Sequence, residues 1–352
     1  MARLSVNELS VTYRTEGGDL TAVDNVSFDV LDNEIFGIVG ESGCGKSTLG
    51  DTFLQLLDEN GHISGGSITY DGTNLAALSE KELAENVRGS EISMIFQDPN
   101  ASLDPVYTVG QQLIETITKH LNLDRSAARE RAIKILDDVG IPDPGDRIDD
   151  YPHSFSGGQL QRIVIAIALS CEPGLLIADE PTTGLDVSIQ AQILDLLNDL
   201  AGSHETSIIL ITHNLGVVAE VCDRVGVMYA GNMVEIAPVE PLFESPEHPY
   251  TRALLESIPE RHGIKEGLTV IPGHPPDLRH PPDGCRYNPR CPDAREVCQR
   301  IHPDNREVPG TAHSHRAACV KHTGFDLGYD DSVPLDRGDD TQATPRTDGG
   351  DR

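Results

Sequence analysis

Apolar and polar residues alternate through residues 3–35, with Leu4, Val6, Leu9, Val11 and Tyr13 in one run and Val26, Phe28 and Val30 in another. A period of two over such runs predicts antiparallel strands. The pattern then changes to an unbroken apolar run, Ile35-Phe36-Gly37-Ile38-Val39, which reads as a strand buried on both faces. Helical spacing follows over Leu49–Leu57, Val109–Leu121, Ser126–Val139, Gln159–Leu169, Ser188–Ala201 and Leu215–Cys222, with Asp124 or Ser126 placed to cap the third of these. Between them lie short strand-like runs at Ile92–Phe96, Leu175–Ala178, Ser207–Thr212 and Arg224–Tyr229, and a strand bracketed by turns at Gly65–Gly72. Strands alternating with helices predict an α/β fold whose parallel sheet is covered on both faces.

Near Pro238 the composition shifts. Prolines cluster at Pro241, Pro246, Pro249, Pro259, Pro272, Pro275 and beyond, so a second, loop-rich unit is expected over 241–325. From about Asp326 the chain is rich in Asp, Gly and Thr and poor in apolar residues, and 326–352 is expected to be an acidic disordered tail.

The chemistry starts where the buried strand ends. Gly40-Glu41-Ser42-Gly43-Cys44-Gly45-Lys46-Ser47-Thr48 fits G-x-x-x-x-G-K-[ST], directly after an apolar strand and before a helical run. The glycines let successive backbone N–H groups converge on phosphate oxygens, and the helix start adds the positive end of its dipole. Lys46 is placed to reach the β- and γ-phosphates and the Ser47 hydroxyl to hold Mg²⁺. The plain alternative is a glycine-rich turn.

Leu175-Leu176-Ile177-Ala178-Asp179-Glu180 is a strand ending in two carboxylates. In a parallel sheet that end lies where ligands collect, so Asp179 is a candidate for Mg²⁺, through water, and Glu180 for polarising an attacking water. The competing reading is acidic residues opening a helix before Pro181. Ser156-Gly157-Gly158-Gln159 precedes a strong helix, and its amides offer a second anion site or a simple capped helix start.

Together these segments resemble the ATP-binding-cassette (ABC) ATPases, over about residues 3–240. Gly40–Thr48 matches the family's Walker A loop, Leu175–Glu180 its Walker B strand, and Phe155–Gln159 its signature, with Phe155 where leucine is usual. The resemblance implies roles for further residues. Gln97 stands at the Q-loop position that links Mg²⁺ and water to a membrane partner. Asp186, in Gly184-Leu185-Asp186, stands at the D-loop. His213, after Ile209-Leu210-Ile211-Thr212, stands at the switch position that meets the γ-phosphate. Tyr13 falls where the family stacks an aromatic on adenine, although a strand tyrosine also serves as packing. Implied with them is a fold of parallel core sheet, antiparallel β subdomain and helical signature subdomain at about 100–165, working as a dimer that sandwiches two ATP molecules.

Phe96-Gln97-Asp98-Pro99-Asn100-Ala101-Ser102-Leu103-Asp104-Pro105, His248-Pro249-Tyr250-Thr251-Arg252-Ala253-Leu254-Leu255 and Pro272-Gly273-His274-Pro275-Pro276-Asp277-Leu278 resemble the oligopeptide/dipeptide importer subfamily, in its first, or D-type, ATPase. The implied partners are a second ATPase chain, two permeases and, indirectly, an external solute-binding protein, at the cytoplasmic face of the membrane. Members also carry nickel, sugars and other small solutes, and nothing in an ATPase contacts the cargo.

Cys285, Cys291, Cys298 and Cys319 stand apart, separated by five, six and twenty residues. This is not the tight pairing of a zinc ribbon. Packing of reduced cysteines is one reading of the residues. The resemblance implies a [4Fe–4S] cluster on four thiolates, with zinc as runner-up given His313 and His315 nearby. Cys44 is expected to point away from nucleotide, and Cys171 and Cys222 to lie in the core.

Charge narrows the partners. The 352 residues hold 57 acidic against 27 basic residues, a net charge of −30, and only 6 of the basic residues are lysine. Such a surface repels nucleic acid and anionic lipid, which argues against DNA-directed readings and suggests adaptation to a high-salt cytoplasm. No apolar stretch near the start reads as a signal peptide, and the longest apolar run, Ile163–Leu169, is far short of a membrane span. A soluble ABC protein of repair or translation is the competing class; the coiled-coil insertion or second cassette expected of it does not appear.

Overall fold

The structure is a computed structural model and describes residues 2–203, 206–258, 271–311 and 314–322. The expected tail 326–352 and His313 lie outside the described residues. The strands are β1 (Ala2–Thr15), β2 (Gly18–Leu31), β3 (Ile35–Val39), β4 (Gly61–Tyr70), β5 (Thr73–Asn74), β6 (Ile92–Ile95), β7 (Leu175–Asp179), β8 (Ser207–Thr212), β9 (Arg224–Tyr229), β10 (Asn232–Pro238), β11 (Arg306–Glu307) and β12 (Arg316–Ala317). The helices are α1 (Lys46–Phe53), α2 (Glu80–Asn86), α3 (Pro99–Ser102), α4 (Val109–His120), α5 (Arg125–Asp138), α6 (Pro144–Arg147), α7 (Gly157–Leu169), α8 (Val187–Ser203), α9 (Leu215–Val221), α10 (Val239–Glu244) and α11 (Pro249–Glu256).

Two sheets form. The first is antiparallel, in the order β2-β1-β4-β5, and the second runs β11-β12-β10-β9-β3-β8-β7-β6. Within the second, β9, β3, β8, β7 and β6 are parallel neighbours, as the alternating sequence predicts. Alternation inside its buried strands divides the core. Ile209 and Ile211 turn to one face, packing with β1, β2 and α1, while Ile208 and Leu210 turn to the other, packing with α4, α5, α7 and α8. Register then sets the functional edge: Val39 pairs with Thr212 and Asp179 with Ile211, so β3, β7 and β8 end together.

Local differences from expectation have local causes. The helix expected over Leu49–Leu57 stops at Phe53, because Gln55 takes φ 50° and its side-chain amide donates to the Leu75 carbonyl at 2.6 Å. α5 starts under Asp124, whose carboxylate accepts from Ser126 and Ala127 N–H at 2.9 Å. Beyond Pro238 the chain does not leave the core. β10 pairs antiparallel with β9, β12 joins β10, and Tyr250, Tyr287, Cys291 and Ala294 share one buried cluster with Val39, Val225 and Tyr229.

Candidate functional site

Gly40 and Gly45 are required by space: a Cβ on Gly40 would lie 2.2 Å from the Met228 carbonyl oxygen, and one on Gly45 2.3 Å from that of Ala22. Gly45 also takes φ +104°, a conformation that glycine alone adopts without strain. The loop therefore wraps tightly against β2 and β9, with Ser42 and Gly43 outward and exposed. No side chain caps α1, so its first amides stay open to an anion. Buried Lys46 turns back over the loop, donating to the carbonyls of Gly40 at 2.9 Å and Glu41 at 3.2 Å. Cys44 is buried in the core, and burial raises its thiol pKa.

At the end of β7, burial pushes the Asp179 carboxyl above its ordinary value; the Ser47 hydroxyl and Lys46 pull down, and Glu180 pushes up. Its Oδ1 is buried with no hydrogen-bond partner. Asp51, one turn into α1, is pushed up to about 6 by burial and by Asp179 and Asp58. Asp179 and Glu180 thus share one lysine while Asp51 presses on Asp179 from α1, an excess of negative charge that a cation would relieve. Gln97, after β6, lines the same cavity of about 740 Å³ as Asp51 and Asp179.

Glu180 sits at φ 48° with its amide donating to the Ile211 carbonyl at 2.8 Å. Its Oε2 accepts from the Thr183 hydroxyl at 2.7 Å, and its Oε1 lies 2.9 Å from His213 Nδ1. Burial raises the Glu180 carboxyl, but these two hydrogen bonds together with the charges of His213 and Lys46 outweigh it and the net shift is downward. Lys46, Ser47, Asp179, Glu180 and His213 are therefore brought together. Thr183 and Asp51 were missed in the sequence; neither residue type carries a signal without the fold.

Ser156 and Gln159 form a reciprocal capping box at the start of α7, with Ser156 Oγ accepting from Gln159 N–H at 3.4 Å and Gln159 Oε1 from Ser156 N–H at 3.1 Å. Gly158 is required by α8, since a Cβ there would meet Ile189 at 2.8 Å. Asp186 caps α8 by accepting from Ile189 N–H at 3.0 Å, so exposed Gly157 and Asp186 flank half-buried Gly158 in one patch. No hydrogen bond or ion pair among the described residues joins Ser156–Gln159 to Lys46 or Asp179. Phe155 is buried under the Arg147 guanidinium, 4.1 Å from the ring centre. Tyr13 is half-buried on β1 with its ring over Gly61, where a Cβ would come within 2.7 Å.

Cys285, Cys291, Cys298 and Cys319 line one cavity of about 400 Å³, shared with His248 and Tyr287. Burial pushes Cys285 up to about 12 and Cys291 to about 11, and the neighbouring cysteines add to both. Among the described residues no group of three or more His, Cys, Asp or Glu is drawn together tightly enough to hold a metal ion. His315 faces elsewhere: its Nε2 lies 2.6 Å from Glu235 Oε1, both fully buried. His248, which the sequence did not single out for this site, accepts from Tyr250 N–H through Nδ1 at 3.1 Å.

Family models match ABC transporter over residues 23–183 and oligopeptide/dipeptide transporter, C-terminal region, over 234–298. The dipeptide transport ATP-binding protein DppD of Bacillus subtilis is 51% identical over 301 residues, 85% of this chain and 90% of that one. The oligopeptide transport ATP-binding protein OppD of Salmonella typhimurium is 47% identical over 318 residues, covering 90% and 93%. Among solved structures, a dimeric ATP-binding cassette in a post-hydrolysis state with ADP and Pi matches 67% of this chain and 98% of its own, at 26% identity and TM-score 0.60. The cbiO1 protein of Clostridium perfringens, part of the ABC transporter complex cbiONQ, matches 69% and 91% at 30% identity and TM-score 0.60. No described helix is long and apolar enough to cross a membrane.

Proposed function

This chain belongs to the ABC transporter family, in its oligopeptide/dipeptide branch, and from that premise we propose that it hydrolyses ATP to drive uptake of peptides or similar small solutes. The observation that carries the reading is the meeting of Lys46, Ser47, Asp179, Glu180 and His213 at the ends of three adjacent parallel strands.

Each residue has work that its geometry suits. The open amides of α1 and the Lys46 ammonium bind and orient phosphate oxygens, Lys46 exchanging its carbonyl partners for them. The orphaned Asp179 oxygen, the Ser47 hydroxyl and the Gln97 amide are hard oxygen donors that fit Mg²⁺. When bound there, Mg²⁺ supplies charge that offsets the negative phosphates. Glu180, held ionised by Thr183 and His213, accepts a hydrogen bond from water and aims it. Ser156–Gln159 and Asp186 lie in a separate patch whose Ser156, Gly157 and Asp186 are exposed, which supports their serving a facing subunit's nucleotide rather than their own. Tyr13 supplies an aromatic edge for the base.

The facing subunit is a second ATPase chain in this reading, and two permeases hold the pair to the cytoplasmic face of the membrane. Phe96, Val106 and Tyr107 expose large apolar side chains in the stretch around Gln97 and support a permease contact there. The proposed units are an ATPase domain over 1–240 and a C-terminal region over 241–325. In the latter, Cys285, Cys291, Cys298 and Cys319 place four soft donors around one cavity, which supports an iron–sulfur cluster there, although they are not drawn close enough together in this structure to coordinate one. Zinc is disfavoured as far as it draws on His315, which is committed to Glu235. Acidic excess over the whole chain supports a high-salt setting. Co-expression with candidate permeases tests the assembly: recovery of the chain in a detergent-extracted membrane complex supports it, and recovery only as free chain contradicts it.

A further inference from the structure

One seven-residue segment joins the cysteine cavity to the phosphate loop. Its two ends, Cys285 and Cys291, line the cavity, and between them stand two arginines that face the other way. Arg290 grips Glu41, the second residue of the loop, in a bidentate pair at 2.7 and 3.1 Å. It is itself fixed by the Pro272 carbonyl at 2.8 Å and the Tyr229 hydroxyl at 3.3 Å, and its side chain is 5% exposed. Arg286 grips the floor of the loop, donating to the Ala230 carbonyl and, at 2.5 Å, to Asp24. The next residue, Gly231, donates through its backbone to the Cys44 carbonyl inside the loop at 2.9 Å. A third contact comes from fully buried Tyr250, whose hydroxyl accepts the Glu41 N–H at 3.0 Å.

Glu41 is therefore held by side chain and backbone from residues beyond Pro238, while its carbonyl accepts Lys46. Desolvated bidentate arginine–carboxylate pairs fix geometry as well as charge. We propose that Arg290 and Tyr250 are positioning residues for the nucleotide site, and that the Cys285–Cys291 segment couples the state of the cysteine cavity to the phosphate loop. Coupling of this kind is reciprocal: what fills or modifies the cavity alters nucleotide affinity, and nucleotide alters access to the cysteines. The inference rests on the ATP reading of Gly40–Thr48 and not on what occupies the cavity.

The test uses the full chain and two readouts. Titration with a fluorescent ATP analogue should show Arg290→Ala weakened about tenfold, with the KM for ATP raised in step and kcat at saturation changed less than about twofold, as expected when one charged hydrogen-bonding pair is lost. Arg290→Lys should recover part of the affinity. Iodoacetamide labelling of protein stripped of any bound metal by chelator, read by peptide mass spectrometry, should be slowed several-fold at Cys285 and Cys291 by a non-hydrolysable ATP analogue in the wild type. At saturating analogue that protection should vanish in Arg290→Ala, while labelling at Cys171, away from the cavity, is unchanged. Wild-type affinity in Arg290→Ala, or equal protection in both proteins, overturns the proposal. Wild-type protein that fails to bind nucleotide at all overturns the ATP reading beneath it. Glu41→Gln breaks the same pair from the loop side and carries the labelling test should Arg290→Ala not fold.

Discussion

Glu180 and His213 meet across the ends of β7 and β8, carboxylate Oε1 to imidazole Nδ1, at 2.9 Å. Backbone geometry enforces the meeting: Glu180 holds a left-handed φ of 48° and its amide is tied to Ile211, two residues before His213. A non-glycine residue kept in that region costs roughly 1–3 kcal/mol, and such strain concentrates where a side chain must be aimed.

This pair makes a prediction about pH. The Glu180 carboxyl is kept low by Thr183 and His213 against the upward push of burial, so removing His213 lets it rise. In His213→Ala, the acid limb of the ATPase pH–rate profile should move to higher pH, and kcat should fall about 10²-fold with nucleotide affinity little changed. Stopped-time phosphate release across pH checks both.

Asp51 predicts a stability effect. Its folded pKa of about 6 stands above the ordinary 3.8, so its contribution is most favourable below the ordinary value and is lost as pH rises through about 6. Asp51→Asn should therefore stabilise the nucleotide-free protein at pH 7 by about 1 kcal/mol after allowance for solvent screening, and by nothing at pH 3.5. Denaturant melts at the two pH values measure the difference.

Salt should matter to the whole molecule. A net charge of −30 opposes compaction, and ions screen it within about 10 Å at 0.1 M and about 3 Å at 1 M. The melting temperature should rise by at least about 5 °C between dilute buffer and molar KCl. An unchanged melt would remove the high-salt reading.

The cysteine cavity predicts a composition. Protein purified without oxygen should carry about four iron and four sulfide per chain and a broad visible band that bleaches on reduction. Zinc at one per chain, or well-folded protein without metal, would contradict the cluster.

Much of the nucleotide edge was legible because each part has its own local pattern. Ile35–Val39 and Leu175–Ala178 are apolar without a break, and the glycines of the loop have fixed spacing. α2 was not legible by apolar spacing, since Leu83 is its only buried residue; the signal lay in the Ser79–Glu82 capping box. β11 and β12 were missed because they are two-residue strands that exist only by pairing, and β10 because buried Asn232 and Glu235 interrupt its apolar run. The Arg290–Glu41 pair spans 249 positions, and no local pattern reports such a contact. His248 was visible as a residue, but its place in the cysteine cavity depends on the packing of α11 beside Tyr287.

The most direct test of the account is labelled dipeptide uptake into proteoliposomes holding this chain with the proposed second ATPase, permeases and binding protein, with ATP hydrolysis followed in the same sample. Wild-type chain should couple the two, and Glu180→Gln should bind ATP while losing both hydrolysis and uptake by at least about 10²-fold. Uptake that persists in Glu180→Gln, or hydrolysis at the wild-type rate, would contradict the role assigned to the Glu180–His213 edge.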